Sequence, residues 1–172
     1  MRYSAMIGLM LLMAFLFLWG RQLQAPTHVS GKVYDLLLAT LLSHRVPEVS
    51  IDQLMSEPFH LLDARSYREF EVSHIQGAIW VGYNDFEAAR LAGIERQDPV
   101  AVYCSVGYRS ERIAEKLHQQ GYTNVVNVYG GLFEWVNTGH PVVTGLGTET
   151  DKVHAYSAFW GVWLKRGERL YE

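Results

Sequence analysis

Apolar and polar positions change period along the chain, and those changes lay out its elements. Tyr3 to Gly20 holds no charged side chain and includes Ile7, Leu9, Met10, Leu11, Leu12, Phe15, Leu16, Phe17 and Leu18, between Arg2 and Arg21. Such a run predicts a hydrophobic N-terminal helix, either a signal peptide or an uncleaved signal anchor at the short limit for spanning a bilayer. Trp19 and Arg21 suit an interfacial boundary. Leu23 and Gln24 before Ala25 do not form a small-x-small cleavage pattern, which favours an anchor. Val33 to Leu42 then predicts a helix with a broad apolar face, ending before Pro47. From Val46 onward short apolar runs alternate with helical stretches. The predicted strands are 48–49, 60–63, 78–81, 100–103 and 125–129. Helices are predicted over 51–56, behind Ser66, over 85–92, over 110–120 and over 132–137, with Ser50 and Ser66 as N-caps. Strands separated by helices predict an α/β fold: a five-stranded parallel sheet with helices on both faces. After Pro141, Gly145 to Thr150 reads as a flexible polar linker. Tyr156, Phe159, Trp160, Trp163 and Leu164 then recur at helical spacing ahead of Lys165, Arg166 and Arg169.

The chain therefore divides into residues 1–25 (anchor or signal peptide), 26–46 (linker and packing helix), 47–144 (the α/β domain) and 145–172 (an amphipathic aromatic and basic tail). The tail is expected to pack as a helix on its own domain or on the 33–42 helix, or else to lie among lipid headgroups. An N-terminal segment of this kind exports the domain behind it, so that domain is expected outside the cytoplasm, on the periplasmic side, attached to the membrane through residues 3–20.

Composition narrows the chemistry. Of 172 residues, 49% are hydrophobic and 19% charged, with a formal net charge of −3. No basic stripe accompanies that acidic balance, so no nucleic-acid partner is expected. The seven histidines, at 28, 44, 60, 74, 118, 140 and 154, have no close paired spacing, and with one cysteine they imply no zinc or other metal site. The lone Cys104 forms no intramolecular disulfide and, outside the cytoplasm, would be a free thiol open to oxidation.

That thiol has a particular setting. Val100–Tyr103 reads as a buried strand, and a helix follows with Ile113, Ala114 and Leu117 on one face. Cys104 thus stands at the carboxyl end of a parallel strand, where ligands bind in such sheets. A turn just before a helix aims backbone N–H groups and the positive helix end at whatever occupies its centre, which favours an anionic sulfur. Gly107 permits the backbone such a cradle needs, and Arg109 adds a charge and a fork of donors. This is an anion-binding nucleophile site, open to phosphate or to sulfur. An inert buried cysteine is the plainer reading.

Three separated motifs resemble the rhodanese family. They are Leu61-Leu62-Asp63-Ala64-Arg65-Ser66-Tyr67-Arg68-Glu69-Phe70 with His74-Ile75-Gln76-Gly77-Ala78, then Tyr103-Cys104-x-x-Gly107-x-Arg109-Ser110, then Val128-Tyr129-Gly130-Gly131 with Trp135. Their order and spacing are similar to one rhodanese domain over about Pro47 to Pro141. The resemblance implies a sulfur carrier with Cys104 as nucleophile and Ser105, Val106, Gly107, Tyr108 and Arg109 as its cradle. It also implies support from Asp63 and Arg65, which would organise a turn with Glu69, and from His74, which would hold a turn rather than act as a base. A related group of phosphatases and arsenate reductases places Arg six positions after Cys; here the step from Cys104 to Arg109 is five. The tighter ring suits one sulfane sulfur better than a tetrahedral phosphate. The expected function is a thiosulfate-type sulfurtransferase that passes sulfur from a small donor through a Cys104 persulfide to a thiol or cyanide, without a cofactor. The alternatives are a catalytically idle partner-docking module and a phosphatase-like enzyme.

Overall fold

The computed structural model describes residues 27–171. The hydrophobic helix expected over residues 1–25 lies outside them. Among the described residues no helix is long and apolar enough to cross a membrane.

Helix α1 (Lys32–Leu41) leads into β1 (Glu48–Val49), α2 (Ile51–Ser56), β2 (His60–Asp63), α3 (Tyr67–Val72) and β3 (Ile79–Trp80). A 3-10 turn (Ala88–Leu91), β4 (Val100–Tyr103), α4 (Tyr108–Gln119), β5 (Val125–Val128) and α5 (Gly131–Asn137) complete the main body. The five strands form one parallel sheet in the order β1-β5-β4-β2-β3. Asp63 pairs with Tyr103 and Val102 with Asn127, so the ends of β2 and β4 are level and Cys104 emerges from the middle of the sheet.

Alternation along β4 shows how the sheet is covered. Val100 and Val102 pack with Ile113, Ala114 and Leu117 of α4. Ala101 and Tyr103 face the other side, with Leu132 and Phe133 of α5 and Tyr34 and Leu38 of α1. All four β4 residues are fully buried, as the unbroken apolar run requires when both faces are covered. Ser50 and Ser66 cap α2 and α3 in reciprocal capping boxes with Gln53 and Glu69.

Three expectations are corrected. The helix expected over 85–92 is only a single 3-10 turn: the Arg90 guanidinium donates to the Asp85 carbonyl at 2.8 Å, so that acceptor is taken by a side chain rather than a helical N–H. The stretch 145–150 is not a loose linker. It closes an antiparallel hairpin between β6 (Val142–Val143) and β7 (Glu149–Thr150), with Thr144 N–H donating to the Thr148 carbonyl at 2.8 Å. The tail is not one amphipathic helix but β8 (Lys152–His154), a one-turn α6 (Ala158–Gly161) and β9 (Glu168–Leu170), with β8 and β9 paired in parallel. Tyr156 carries a positive φ of 64°, which breaks any helix there. Burial explains the outcome. Val153, Ala155 and Leu164 are fully buried in the same core as α1 and α5, an arrangement a straight helix with its aromatic stripe could not make. Trp163 stacks on Tyr34 of α1 at 5.4 Å, so the tail does pack on the domain and on that helix.

Candidate active site

β4 delivers Cys104 to the carboxyl edge of the sheet, and the chain curls back around the sulfur before α4 begins. The Gly107 N–H donates to Cys104 Sγ at 3.2 Å. Gly107 itself is the left-handed N-cap of α4, with φ of 108°, a value that a residue with a Cβ rarely adopts. The thiol is 1% exposed, yet it reaches the floor of a cavity of about 840 Å³.

Two sets of contacts fix the loop. On one side α5 clamps its backbone: Leu132 N–H donates to the Cys104 carbonyl at 2.8 Å and Phe133 N–H to the Ser105 carbonyl at 3.0 Å. Gly131 makes this approach possible, because a Cβ there would run into the Cys104 carbonyl oxygen. On the other side Asn127 of β5 donates to the Gly107 carbonyl at 3.1 Å and accepts from the Ser110 hydroxyl at 2.7 Å.

Arg109 is held by Glu69. Its Nη1 donates to Oε2 at 2.8 Å and its Nη2 to Oε1 at 2.7 Å, and Nη2 also donates to Ser105 Oγ at 3.0 Å. Ser105 Oγ in turn donates to Glu69 Oε1 at 3.1 Å. Burial would raise the Glu69 carboxyl, but the bonds and charge of Arg109, with the charge of Arg65, outweigh it and hold Glu69 down at about 2. Glu69 thus binds Arg109 and, through Ser66 N–H at 3.0 Å, closes the α3 cap, while no hydrogen bond or ion pair joins it to Arg65 among the described residues. The turn of Asp63 and Arg65 closes on itself: the Arg65 backbone N–H donates to Asp63 Oδ1 at 2.9 Å, and its guanidinium binds the same carboxylate through Nε and through Nη2 at 2.6 Å. Arg65 Nη2 also donates to the Ser73 carbonyl at 2.6 Å. Both side chains are fully buried.

The sequence candidates thus separate. Cys104, Ser105, Tyr108 and Arg109 line the cavity. Val106 turns into the core at 5% exposure, and Gly107 contributes its N–H. Asp63 and Arg65 lie buried beneath, against Tyr103, whose ring is 5.8 Å from the Arg65 guanidinium. His74 is outside the lining. Its ring stacks on Phe70 at 3.7 Å, Nδ1 meets the Phe70 carbonyl at 3.0 Å, and its backbone pairs with Val143. Sequence reasoning passed over Asn127, although a lone polar residue within Val125–Val128 was a visible signal: a buried strand carries a polar side chain only where a partner waits. It also missed His154, Tyr156 and Trp160, which line the same cavity from the tail. Nothing in their spacing pointed to Cys104.

The match to known proteins covers the same region. A family model described as a Rhodanese-like domain matches residues 47–138. Thiosulfate sulfurtransferase GlpE of Actinobacillus succinogenes is 35% identical over 106 residues, spanning 60% of this chain and 92% of that protein. A tRNA uridine(34) hydroxylase of Hamiltonella defensa is 30% identical over 94 residues, 51% of this chain but only 26% of that protein. A rhodanese-related protein from Thermoplasma volcanium superposes with a TM-score of 0.51 at 30% identity, covering 56% of this chain and 97% of that structure. The tail lies beyond the matched family region.

Proposed function

The chain belongs to the rhodanese-like domain family, and from that premise we propose that it is a sulfurtransferase that carries a sulfane sulfur as a persulfide on Cys104. One observation carries the reading: the thiol stands at the end of the central strand with the Gly107 N–H on its sulfur, at the mouth of a closed five-step loop and the start of a 12-residue helix. A sulfur anion there is met by a preorganised donor and by the positive helix end.

In the first step the Cys104 thiolate attacks the outer sulfur of a donor such as thiosulfate. A new S–S bond forms, the S–S bond of the donor breaks, and sulfite leaves with the electron pair. In the second step cyanide or a thiolate attacks the outer sulfur of the persulfide. The Cys104–sulfur bond breaks, its electrons return to Cys104, and thiocyanate or a new persulfide departs. Cys104 is the catalytic residue. Arg109 acts through the loop: its guanidinium is matched by Glu69, so it holds the ring closed and leaves the N–H groups to receive the anion. Asp63 and Arg65 support the strand end beneath, and His74 holds the α3–β3 turn. The activity named for the GlpE relative agrees with this reading.

We place the domain on the extracytoplasmic side, held by residues 3–20, on the strength of that uncharged run alone. Protease treatment of intact cells tests it; digestion only after inner-membrane lysis overturns it.

The enzyme reading is tested by thiosulfate:cyanide turnover in the wild type and Cys104→Ser, with intact-mass measurement after thiosulfate. Thiocyanate formation and a gain of one sulfur on the wild type alone are expected. Neither signal in the wild type would leave a docking module, and faster turnover of an aryl phosphate would point to the phosphatase class.

A further inference from the structure

The cavity over Cys104 is much larger than the reaction proposed above needs. At about 840 Å³ it lies in the size range of pockets that enclose drug-sized ligands, whereas thiosulfate and cyanide are a few atoms each. Its extra wall comes from outside the matched family region: His154, Tyr156 and Trp160 all belong to the tail.

That wall is built rather than draped. β8 pairs with β9, Ala155 N–H donates to the Leu170 carbonyl at 2.7 Å, and Leu164 is fully buried behind it. Tyr156 is held in the left-handed backbone region by its N–H on His154 Nδ1 at 3.1 Å. The turn delivers the Tyr156 ring to within 5.1 Å of the Arg109 guanidinium, directly beside the sulfur loop, although 54% of the residue remains exposed. A tyrosine in strained backbone, with an open face toward a cavity, is placed for something to lie against it.

Charge supplies the second half. The cations of Arg65 and Arg109 are each matched by a carboxylate. Arg68 lines the cavity mouth and makes no ion pair among the described residues. Asp85 lines the same mouth. Burial lowers the His154 imidazole, and Arg65, Arg68 and Arg109 add to that against Glu69, so His154 adds no cation beside Arg68 and Asp85.

We propose, resting on the sulfurtransferase reading, that the tail forms an acceptor subsite for a peptide-sized thiol that carries a carboxylate. Its body lies against Tyr156 and Trp160, its carboxylate meets Arg68, and an ammonium group on the same molecule meets Asp85. Its thiolate attacks the outer sulfur of the Cys104 persulfide. The bond to Cys104 breaks, the electron pair returns to Cys104, and the acceptor leaves as a persulfide. Tyr156, Trp160 and Arg68 are then specificity residues.

The test uses the full chain with thiosulfate as donor and three acceptors: reduced glutathione, 2-mercaptoethanol and cyanide. In Tyr156→Asn, Trp160→Ala and Arg68→Ala the ratio of kcat/KM for glutathione to that for cyanide should fall by about tenfold or more. Tyr156→Asn removes the ring but keeps a residue that tolerates a positive φ. Arg68→Lys should recover part of the ratio, and Arg68→Ala should not change the ratio of 2-mercaptoethanol to cyanide. Glutathione and cyanide rates that fall together, or a ratio that moves less than twofold, would overturn the subsite. Calorimetric titration of glutathione into Cys104→Ser separates this from the chemistry. Saturable binding that Trp160→Ala weakens supports the subsite even in a protein that makes no thiocyanate. Absence of saturable binding sinks it even where wild-type turnover upholds the sulfurtransferase reading.

Discussion

Glu69 of α3 grips Arg109 of α4 with both carboxylate oxygens, at 2.8 and 2.7 Å, across forty residues of sequence. The pair shares Ser105 Oγ, so one network ties α3, the sulfur loop and the first turn of α4 together. The Glu69 side chain is 2% exposed and that of Arg109 17%. Such a pair adds less net stability than its Coulomb energy suggests, but removing one member leaves the other unmatched in a poorly solvated place. Glu69→Ala should therefore lower unfolding stability by about 3–5 kcal/mol in urea titrations. Thiosulfate:cyanide turnover should fall as well, because the loop loses its tie. An unchanged midpoint would show that the pair is dispensable.

The same carboxylate sets an acid limit. Glu69 is held at about 2 against an ordinary value of 4.5. Between those values the unfolded chain binds the proton and the folded chain does not, so stability rises with pH there. The contribution is complete above about pH 4.5 and is lost as pH falls toward 2. Its size is about 3 kcal/mol. Urea unfolding from pH 6 down to pH 3 should show the wild type losing stability faster than Glu69→Gln. Parallel curves would remove Glu69 as the cause.

Gly131→Ala brings a Cβ against the Cys104 carbonyl and the Ser105 backbone, where neither neighbour is a flexible side-chain end. Its backbone, at φ of 56°, adds strain. The expected loss is about 2–4 kcal/mol, with slower persulfide formation because the clash falls on the nucleophile's own peptide. Thermal unfolding and stopped-flow mixing with thiosulfate check the two effects.

Asn127→Leu takes one of three donors from the buried Gly107 carbonyl, which keeps the Ser110 hydroxyl and the Glu111 N–H, and one of two acceptors from the Ser110 hydroxyl. About 0.5–1.5 kcal/mol should be lost. Because these bonds hold the N-cap whose N–H faces the sulfur, kcat should fall more than KM rises. A variant as stable and as active as the wild type would assign Asn127 to packing alone.

Leu164→Ala tests whether the tail belongs to the folded unit. Leu164 is fully buried with Val153 and Tyr34, so truncation should cost about 2–5 kcal/mol in a single cooperative transition. A separate early transition, with the rest of the curve unmoved, would make the tail an independent appendage.

The sheet and the nucleophile were legible because both are written locally. A buried parallel strand is a continuous apolar run, as in Val100–Tyr103, and a capping serine sits at a fixed offset from its helix, as Ser50 and Ser66 do. The same logic placed Cys104 between a strand and a helix. It failed for 85–92, where helical periodicity was present but a side chain captured a backbone carbonyl. It failed again for the tail, whose aromatic spacing fits a helix while its burial demands a turn at Tyr156.

The sequence by itself determined the α/β order, the parallel sheet and the position of the thiol at a strand end, since each follows from residues near one another in the chain and from the period of their side chains. Only the tertiary structure decided who partners Arg109, what holds the Gly107 carbonyl, and how wide the pocket is. Glu69, Asn127 and Tyr156 lie 40, 20 and 47 residues from those partners. Contacts over such distances depend on how helices and tail pack on the sheet, and no local periodicity encodes that packing.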